Sequence, residues 1–537
     1  MKRAFINGKF YLEKDNFAQG VISENGKITH IGSTDEMKTL ATNCEVIDLG
    51  GRTVLPGFND SHLHLYRVGQ MRSFLNLKGA TSIADCIDLG REYIARNEIA
   101  PNTPVFAHGW NQDYFIDNPR PLNRHDLDEI STEHPIVALR ACGHLATANS
   151  LALKEAGVSE NTPEVAGGEI RKEPSGQPNG IITENALILL ESLKTIPDVG
   201  TMANDIKGAM EYASSHGITS IQTNDIRNEN WRAMLEAYHL VYRRGEATVR
   251  TYHQCCFTDR DGLDEFIAAG QTMGQGTELH KIGPIKMFVD GSLGAHTAAM
   301  RIPYHDKPDT TGVYCMTVQQ LDQMVKTANE AGFGCVIHAI GDGAIDRVLT
   351  AYEKAGHSNP LRNGIIHCQI TDLPLLERFK KSNTLALVQP VFLHYDMRIV
   401  ESRVGKELAA TSYAFHTMNT LGIPTSYGTD APIENLSTMN NIHCAVNRQD
   451  LDDEPIGGYN GFECVPLADA IDNYTIQSAY ASFEENKKGR IAPGYFADMC
   501  VLDQDIFAID PKKIRFVKVE LTILGGDVVY RRNNHEQ

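Results

Sequence analysis

Eight short apolar segments in the middle of the chain alternate with longer, helix-like segments. A repeated strand-then-helix order favours βα units and a parallel sheet. Eight such units close a (β/α)8 barrel of the TIM type, in which functional side chains lie at the carboxyl ends of the strands. We therefore predict an α/β fold with this barrel as its largest part. The predicted strands are 53–60, 218–223, 249–255, 283–289, 334–340, 363–369, 384–390 and 423–429.

The first connection of this barrel is much longer than a βα unit requires. It runs from His64 to Ile218, so we predict that a region of about 66–210 is inserted as a cap over the barrel mouth. The cap contains strand-like runs of its own at 103–107 and 135–139. With this insertion, the barrel is predicted to span 53–483.

The two ends of the chain share a pattern of short strands and tight turns. We predict that residues 1–52 and 484–537 form one small, composite β-sandwich domain. Asn7-Gly8 and Asn25-Gly26 are dipeptides typical of two-residue hairpin turns.

Composition excludes several classes of protein. The net charge of −18 argues against a nucleic-acid or anionic-membrane partner. The 11 cysteines are scattered and form no C-x-x-C motif, which argues against a disulfide framework and a thiolate zinc site. We read neither a signal peptide nor a long apolar run, so a cytoplasmic protein without a membrane partner is expected.

The first predicted strand leads into His62 and His64, which are separated by one residue. Residues i and i+2 of a strand point to the same face, so the two imidazoles converge as ligands of one metal ion would. Imidazole suits Zn²⁺ and other divalent transition metals. An isolated H-x-H pair is weak evidence, because surface or core histidines produce it by chance.

Other strand ends strengthen this interpretation. Lys286 lies inside the apolar fourth strand, His338 and His367 end the fifth and sixth strands, and Asp430 ends the eighth. Each has an ordinary structural alternative: a hydrogen-bonded core histidine, a lysine reaching solvent, or an aspartate in a turn or helix cap. Six such residues at strand ends of one barrel indicate a metal site at its mouth.

The order of these six residues resembles that of the amidohydrolase superfamily of metal-dependent hydrolases. Segments 286–294, 338–344 and 428–433 resemble motifs of amidohydrolase family 3, a group that includes YtcJ-like proteins and N-substituted formamide deformylases. Segment 488–498 resembles the turn by which this superfamily returns into its β-domain. The resemblance covers nearly the whole chain, but its motifs are poor guides to the substrate.

The resemblance implies a role for each of the six residues. Lys286 would be N-carboxylated and bridge two metal ions, although an unmodified lysine beside one ion is the competing interpretation. Asp430 would act as the general base and then the general acid in hydrolysis of an amide or N-formyl C–N bond by metal-activated hydroxide. One or two divalent ions, expected to be Zn²⁺, would be held by His62, His64, Lys286, His338, His367 and Asp430.

Several further residues are candidates for substrate contact. In the cap, His108, Trp110 and Asp113 lie close together, with cap core as the alternative for Trp110. His144 lies in a stretch that resembles a motif near the family's substrate site. Asp342 is either a second-layer residue that orients a ligand or a helix N-cap. Family members often have an arginine in the stretch where this chain has His296 and its neighbours. If that position binds an anionic group of the substrate, we expect this protein to prefer different substrates.

Two other functions compete with amide hydrolysis of a small molecule. A deaminase on the same barrel commonly has a glutamate three residues after a barrel histidine, whereas Gly341 and Ile370 occupy those positions here. A non-catalytic relative of the family would normally have lost ligands, and all six positions are filled. A homodimer is compatible with the resemblance.

Overall fold

The computed structural model describes residues 1–116, 118–141, 145–165, 167–193, 197–356 and 358–533. These residues divide into two compact units. One unit comprises Met1–Arg67 and Ile206–Gln537, and the other, the inserted unit, comprises Val68–Asp205. Within the described ranges, no helix combines the length and apolar character needed to cross a membrane.

The first unit contains an eight-stranded parallel sheet whose strands follow one another in chain order. Each strand is almost entirely buried, as expected when helices cover the outer face of a parallel sheet. The strands are β1 (Phe58–Leu63), β2 (Ile218–Thr223), β3 (Arg250–Cys256), β4 (His280–Phe288), β5 (Cys335–Ala339), β6 (Gly364–His367), β7 (Leu385–Val388) and β8 (Thr425–Tyr427).

Two backbone hydrogen bonds bring the ends of this sheet together just beyond β8. The Asp430 amide donates to the His62 carbonyl at 2.8 Å, and the His64 amide donates to the Ala431 carbonyl at 2.8 Å. The sheet therefore curls back on itself as a (β/α)8 barrel, which confirms the predicted fold class. Because the bonds involve candidate metal ligands, closure of the barrel also sets their spacing.

Helices lie between the barrel strands and pack on them through amphipathic faces. The helix Trp231–Arg243 buries Met234, Tyr238 and Val241, spaced three and four residues apart along one helix face. Its Tyr238 ring contacts His253 of β3, with ring centroids 4.5 Å apart.

The α-helices are Thr34–Leu40, Leu65–Ser73, Ile83–Arg96, Arg124–Asp128, Ser150–Glu155, Val199–Ser215, Trp231–Arg243, Arg260–Ala268, Val318–Glu330, Asp342–Ala355, Leu373–Ser382, Leu393–Asp396, Val400–Val404, Lys406–Ala409, Phe415–Leu421, Thr438–Asn447, Leu467–Asn473 and Ile476–Ala481.

The two termini contribute strands to a pair of further sheets in the first unit. Phe10 from one sheet and Phe5 from the other share an apolar core, as in a β-sandwich. In order across each sheet, the strands are Lys27–Gly32, Gly20–Glu24, Lys2–Ile6 and Glu45–Asp48, and then Asp527–Arg531, Val519–Leu524, Met499–Leu502, Thr53–Pro56, Lys9–Glu13 and Asn16–Ala18.

These sheets correct the predicted first barrel strand, 53–60. Thr53–Pro56 is a strand of the terminal sheet and pairs with Met499–Leu502, whereas the barrel strand β1 begins at Phe58. Gly57 separates them, and a Cβ there would lie 2.2 Å from Thr219 Oγ1. The chain therefore passes from the terminal sheet to the barrel at Gly57. The sequence prediction joined the segments on its two sides into one strand.

Only one of the two predicted hairpin dipeptides joins paired strands. Asn25 and Gly26 both have positive φ, at 52° and 82°, and link two antiparallel strands, as a type I′ turn requires. Asn7 also has a positive φ of 53°, but the strands on its two sides belong to different sheets. The Asn7-Gly8 turn therefore passes the chain between layers of the sandwich.

The inserted unit is built on a mixed six-stranded sheet with its own apolar core, which includes Leu77, Trp110 and Leu122. Two of its strands overlap the runs noted at 103–107 and 135–139. The strands in order across the sheet are Gly168–Lys172, Pro178–Glu184, Leu145–Ala148, Ile136–Arg140, Val105–Trp110 and Leu75–Asn76.

Candidate metal centre

Side chains of six residues meet at the carboxyl ends of the barrel strands. His62, Lys286 and His338 lie within β1, β4 and β5, and His367 is the last residue of β6. His64 and Asp430 follow β1 and β8. This is the end of a (β/α)8 barrel at which active sites form.

His62, His64 and Asp430 form the tightest group. Asp430 Oδ1 lies 3.4 Å from His62 Nε2 and 3.2 Å from His64 Nε2. One ligand atom from each residue lies within 4.8 Å of the other two. Asp430 Oδ1 is buried and has no hydrogen-bond partner in the described part of the chain, which fits an oxygen that binds a cation.

His338 and His367 form a second group beside the first. Their ring centroids lie 4.4 Å apart, and the His367 ring lies 5.9 Å from that of His62. The Phe392 ring stacks on His367 with centroids 5.8 Å apart and an angle of 15°. Within the second group, His367 is thus the residue in ring contact with His62 of the first group, and Phe392 supports it by stacking on the ring.

All four imidazoles direct their Nδ1 atoms at oxygen atoms outside the centre. If each Nδ1 carries a proton and donates it, each Nε2 has a lone pair left for a metal ion. The acceptors are Gln254 Oε1 for His62 at 2.5 Å, the Asn224 carbonyl for His64 at 3.2 Å, Asp290 Oδ1 for His338 at 3.1 Å and Gln389 Oε1 for His367 at 2.7 Å.

The two glutamines are themselves fixed in the orientation that this role requires. Gln254 Nε2 donates to the Ser61 carbonyl at 2.9 Å, and Gln389 Nε2 donates to the Leu387 carbonyl at 3.2 Å. Because each amide NH₂ is used there, each Oε1 faces its histidine. Sequence reasoning missed both glutamines, since nothing in their spacing separates them from other polar residues at strand ends.

Asp290, rather than Asp342, orients the candidate ligand His338. Asp290 accepts His338 Nδ1 and the backbone amides of Ala299, Ile340 and Gly341. The Asp342 carboxylate instead accepts Nε and the amide of Arg301 and begins the helix Asp342–Ala355. Asp290 lies two residues after β4, within the segment 286–294 that resembles a family motif, and that position was the available signal.

Lys286 is fully buried within the centre. Its Nζ lies 3.3 Å from the Met287 carbonyl and 3.9 Å from the centre of the Phe288 ring. Among the described residues, no carboxylate lies within ion-pair distance of it. Burial lowers the pKa of Lys286 to about 7, because a desolvated ammonium is unfavourable.

Burial also determines the charge of the ligands. It lowers the pKa of His62 and of His367 well below their ordinary values, and the positive charge of Lys286 acts in the same direction on both. Burial alone would raise the pKa of Asp430, but the His64 imidazole beside it holds that pKa below its usual value. Neutral imidazoles and an ionised carboxylate are the forms that bind a metal ion.

Two of the six residues have a backbone conformation that costs free energy. His367 has a φ of 80° and Asp430 a φ of 56°. Left-handed backbone is unfavourable for residues other than glycine and is concentrated at functional sites. At both positions it occurs where a strand ends and the side chain turns into the centre.

A buried carboxylate supports the centre from behind. Asp60 accepts Thr429 Oγ1 at 2.7 Å, the Thr429 amide at 3.1 Å and the His62 amide at 3.2 Å. Burial raises the pKa of Asp60 to about 7 despite these donors. Asp60 thereby ties the first barrel strand to the segment that carries Asp430.

The predicted substrate residues that the structure describes make contacts within their own units. Trp110 is fully buried in the core of the inserted unit and donates Nε1 to the Ala138 carbonyl, so it is a core residue. His108 Nε2 lies 3.1 Å from the Met71 carbonyl, and Asp113 pairs with Arg140 at 2.9 Å. In the first unit, His296 pairs with Asp306 at 3.1 Å. His144 lies outside the described residues.

Comparisons with known proteins agree with this geometry. The model of the amidohydrolase family matches residues 45–530. YtcJ of Bacillus subtilis (strain 168) is 32% identical over 99% of this chain and 100% of its own length. The N-substituted formamide deformylase of Arthrobacter pascens is 26% identical over 97% of this chain and 96% of its own length.

A solved structure has the same fold. An uncharacterized metal-dependent hydrolase from Pyrococcus horikoshii OT3 superposes with a TM-score of 0.80, at 27% identity, over 95% of this chain and 99% of the other. The sequence match and the superposition both extend over nearly the full length, including the strands that carry the six residues. The chain therefore belongs to the amidohydrolase family.

Proposed function

We propose that this protein hydrolyses an amide or N-formyl C–N bond of a small molecule with the help of bound Zn²⁺. The observation that carries the proposal is the convergence of His62 Nε2, His64 Nε2 and Asp430 Oδ1, with Asp430 Oδ1 within 3.4 Å of both nitrogens. When Nδ1 of both histidines carries the proton, the two Nε2 atoms and Asp430 Oδ1 face one another with their lone pairs. A cation bound between these three atoms would remove the repulsion between the lone pairs. The N-substituted formamide deformylase among the relatives supports the choice of bond.

We propose further that Lys286 is N-carboxylated. A buried ammonium without a carboxylate partner is costly, whereas a neutral amine is the form that attacks CO₂. The carbamate would add an anionic oxygen donor, and the charge of Lys286 is felt by both His62 and His367. A ligand in that position suits a two-ion centre, with His62, His64 and Asp430 on one side and His338 and His367 on the other.

A bound divalent ion would supply a Lewis acid that polarises the substrate carbonyl and lowers the pKa of water. The protein's own residues then manage the proton. Asp430, whose pKa is held low beside His64, accepts a proton from the attacking water at the carboxylate oxygen that the ion would leave free. It delivers that proton to the nitrogen as the C–N bond breaks, so that the products are a carboxylic acid and an amine.

A metal and substrate survey tests the proposal. The purified protein is assayed for bound metal and for hydrolysis of N-substituted formamides, N-acyl amino acids and cyclic ureas, before and after chelation. We expect one or two equivalents of metal, activity on at least one class, loss of activity on chelation and recovery with Zn²⁺. Full activity in metal-free protein, or inactivity of the metal-loaded protein on the whole panel, would contradict the proposal.

A further inference from the structure

Arg227 lies on the same level of the barrel as Lys286. It follows β2 and forms an isolated parallel bridge with Cys256 of β3, supported by a 2.8 Å hydrogen bond from the Cys256 amide to the Ile226 carbonyl. Cys256 in turn pairs with Lys286 of β4. The three residues therefore lie side by side across adjacent strands.

The register also fixes the face on which Arg227 lies. Gln254 points into the barrel, because its Oε1 accepts His62 Nδ1. Cys256, two residues later on the same strand, points to the same face. Paired residues of neighbouring parallel strands share a face, so Arg227 and Lys286 both project towards the barrel interior at the mouth.

Within the described residues, the Arg227 guanidinium has few hydrogen-bonding partners. In the ranges that the structure describes, it makes one long hydrogen bond, 3.5 Å from Nη2 to Asn224 Oδ1, and no ion pair. Asn224 Nδ2 donates to the Gln254 carbonyl at 2.9 Å, so only Oδ1 of this amide faces Arg227. Among the described residues, the half-buried guanidinium beside the candidate metal centre therefore has no protein acceptor for most of its five N–H donors.

Three other charged side chains that follow barrel strands are paired with carboxylates. Arg301 pairs with Asp342 and Asp372, and His394 pairs with Glu434 at 3.2 Å. His296, in the stretch where family members often have an arginine, pairs with Asp306 at 3.1 Å. Arg227 differs from these groups because it has no carboxylate partner within the described residues.

We propose that Arg227 binds a carboxylate of the substrate, so that the protein acts on amides that carry a carboxylate close to the C–N bond, such as N-acyl amino acids. The proposal rests on the proposed function and specifies its substrate class. A guanidinium offers two parallel N–H groups, which match the two oxygens of a carboxylate. The carboxylate would fix the substrate while its carbonyl lies at the metal centre.

Matched substrate pairs test this role. N-formyl amino acids are compared with their primary amides, which differ in the charge of one group, for the metal-loaded wild type, R227Q and R227K. We expect the wild type to prefer the acids. R227Q should lose about 10- to 100-fold in kcat/KM on the acids and change little on the amides, as expected when one charged hydrogen-bond partner is removed. R227K keeps the charge but not the planar fork and should fall between them.

The control is R232Q, which removes an exposed arginine of the following helix and should leave both substrates unaffected. Equal losses on acids and amides in R227Q, or a wild type that prefers the amides, would overturn the proposal. Equal losses with a reduced metal content would instead assign Arg227 to supporting the Lys286 carbamate. If R227Q does not fold, R227K decides, because an unchanged preference in R227K contradicts bidentate binding.

A binding measurement separates this proposal from the proposed function. N-Methylsulfonylglycine and its primary amide resemble the substrates, but a sulfonamide replaces the N-acyl bond that would be hydrolysed. Their affinities are measured by calorimetry on metal-loaded protein. We expect the wild type to bind the acid more tightly, and R227Q to bind both equally. If no pair is hydrolysed, the proposed function fails, but this comparison still decides the role of Arg227: equal wild-type affinities would overturn it.

Discussion

His338 is held by Asp290, whose Oδ1 lies 3.1 Å from the histidine Nδ1 while the carboxylate also accepts three backbone amides. Only donors surround this carboxylate: the three amides hold it in place, and it in turn accepts the imidazole N–H. The geometry makes Asp290 a positioning residue for one of the candidate metal ligands.

Replacing Asp290 should therefore loosen the metal. D290N places an amide NH₂ where only donors surround it, so we expect metal affinity about 10- to 100-fold lower, measured by competition with a chelator. The control is D342N, which alters the neighbouring carboxylate paired with Arg301. D342N should keep wild-type metal affinity, and a larger effect in D342N than in D290N would contradict this assignment.

Lys286 provides a second prediction. K286Q removes the amine that we expect to carry CO₂ and should lower the bound metal from two ions to one, with a large loss of activity. The carbamate itself is observed directly as a ¹³C resonance after incubation with ¹³C-bicarbonate, and this resonance should be absent in K286Q. Two bound ions in K286Q, or a wild type without the resonance, would favour the unmodified lysine.

Asp430 should be required for proton transfer as well as for binding. D430N leaves an amide that cannot accept the proton of water, so we expect kcat to fall about 10²- to 10⁴-fold, with the products unchanged. The ionised state of Asp430 is favoured by His64, which keeps its pKa low. Activity of D430N within about tenfold of the wild type would exclude Asp430 as the general base.

A pair of histidines away from the centre should control the acid stability of the fold. His253 and His280 lie between the barrel and the helix Trp231–Arg243, with their Nε2 atoms 2.7 Å apart. Burial lowers the pKa of His280 to about 3 and that of His253 well below its ordinary value. In the unfolded chain both take up a proton near pH 6.5.

The sign of the effect follows from proton uptake. Below about pH 6.5 the unfolded state binds more protons, so stability that is complete above this pH is lost as the pH falls towards 3, by roughly 1 kcal/mol per pH unit for each histidine. H280Q should reduce this slope in urea unfolding between pH 7.5 and 5. H30Q, an exposed control, should not change it, and an unchanged slope in H280Q would contradict the assignment.

The barrel could be predicted because its strands are short apolar runs separated by helices, and seven of the eight lie within a few residues of the prediction. The first strand was wrong because the apolar run from Thr53 continues through Gly57 into β1, and only the pairing partners reveal that it serves two sheets. Local sequence contains no information about which distant strand supplies those partners.

Part of the site could also be predicted, because the fold class determines where the strand ends lie. Side chains that end strands of one barrel share its mouth, so His62 and Asp430 could be brought together from sequence. The roles of Gln254 and Arg227 could not be predicted, because they depend on the register of neighbouring strands. Trp110 was ambiguous since a buried indole that donates to a carbonyl and one that lines a substrate site look alike in sequence.

The most direct test of the metal centre is anomalous diffraction from crystals of the Zn²⁺-loaded protein, recorded on both sides of the zinc edge. The account predicts one peak about 2.0–2.2 Å from Nε2 of His62 and His64 and from an Asp430 oxygen, at ordinary zinc–ligand distances. It predicts a second peak bound to Nε2 of His338 and His367, with a carboxylated Lys286 between the two. Crystals of loaded protein with no zinc peak at these atoms would contradict the central claim.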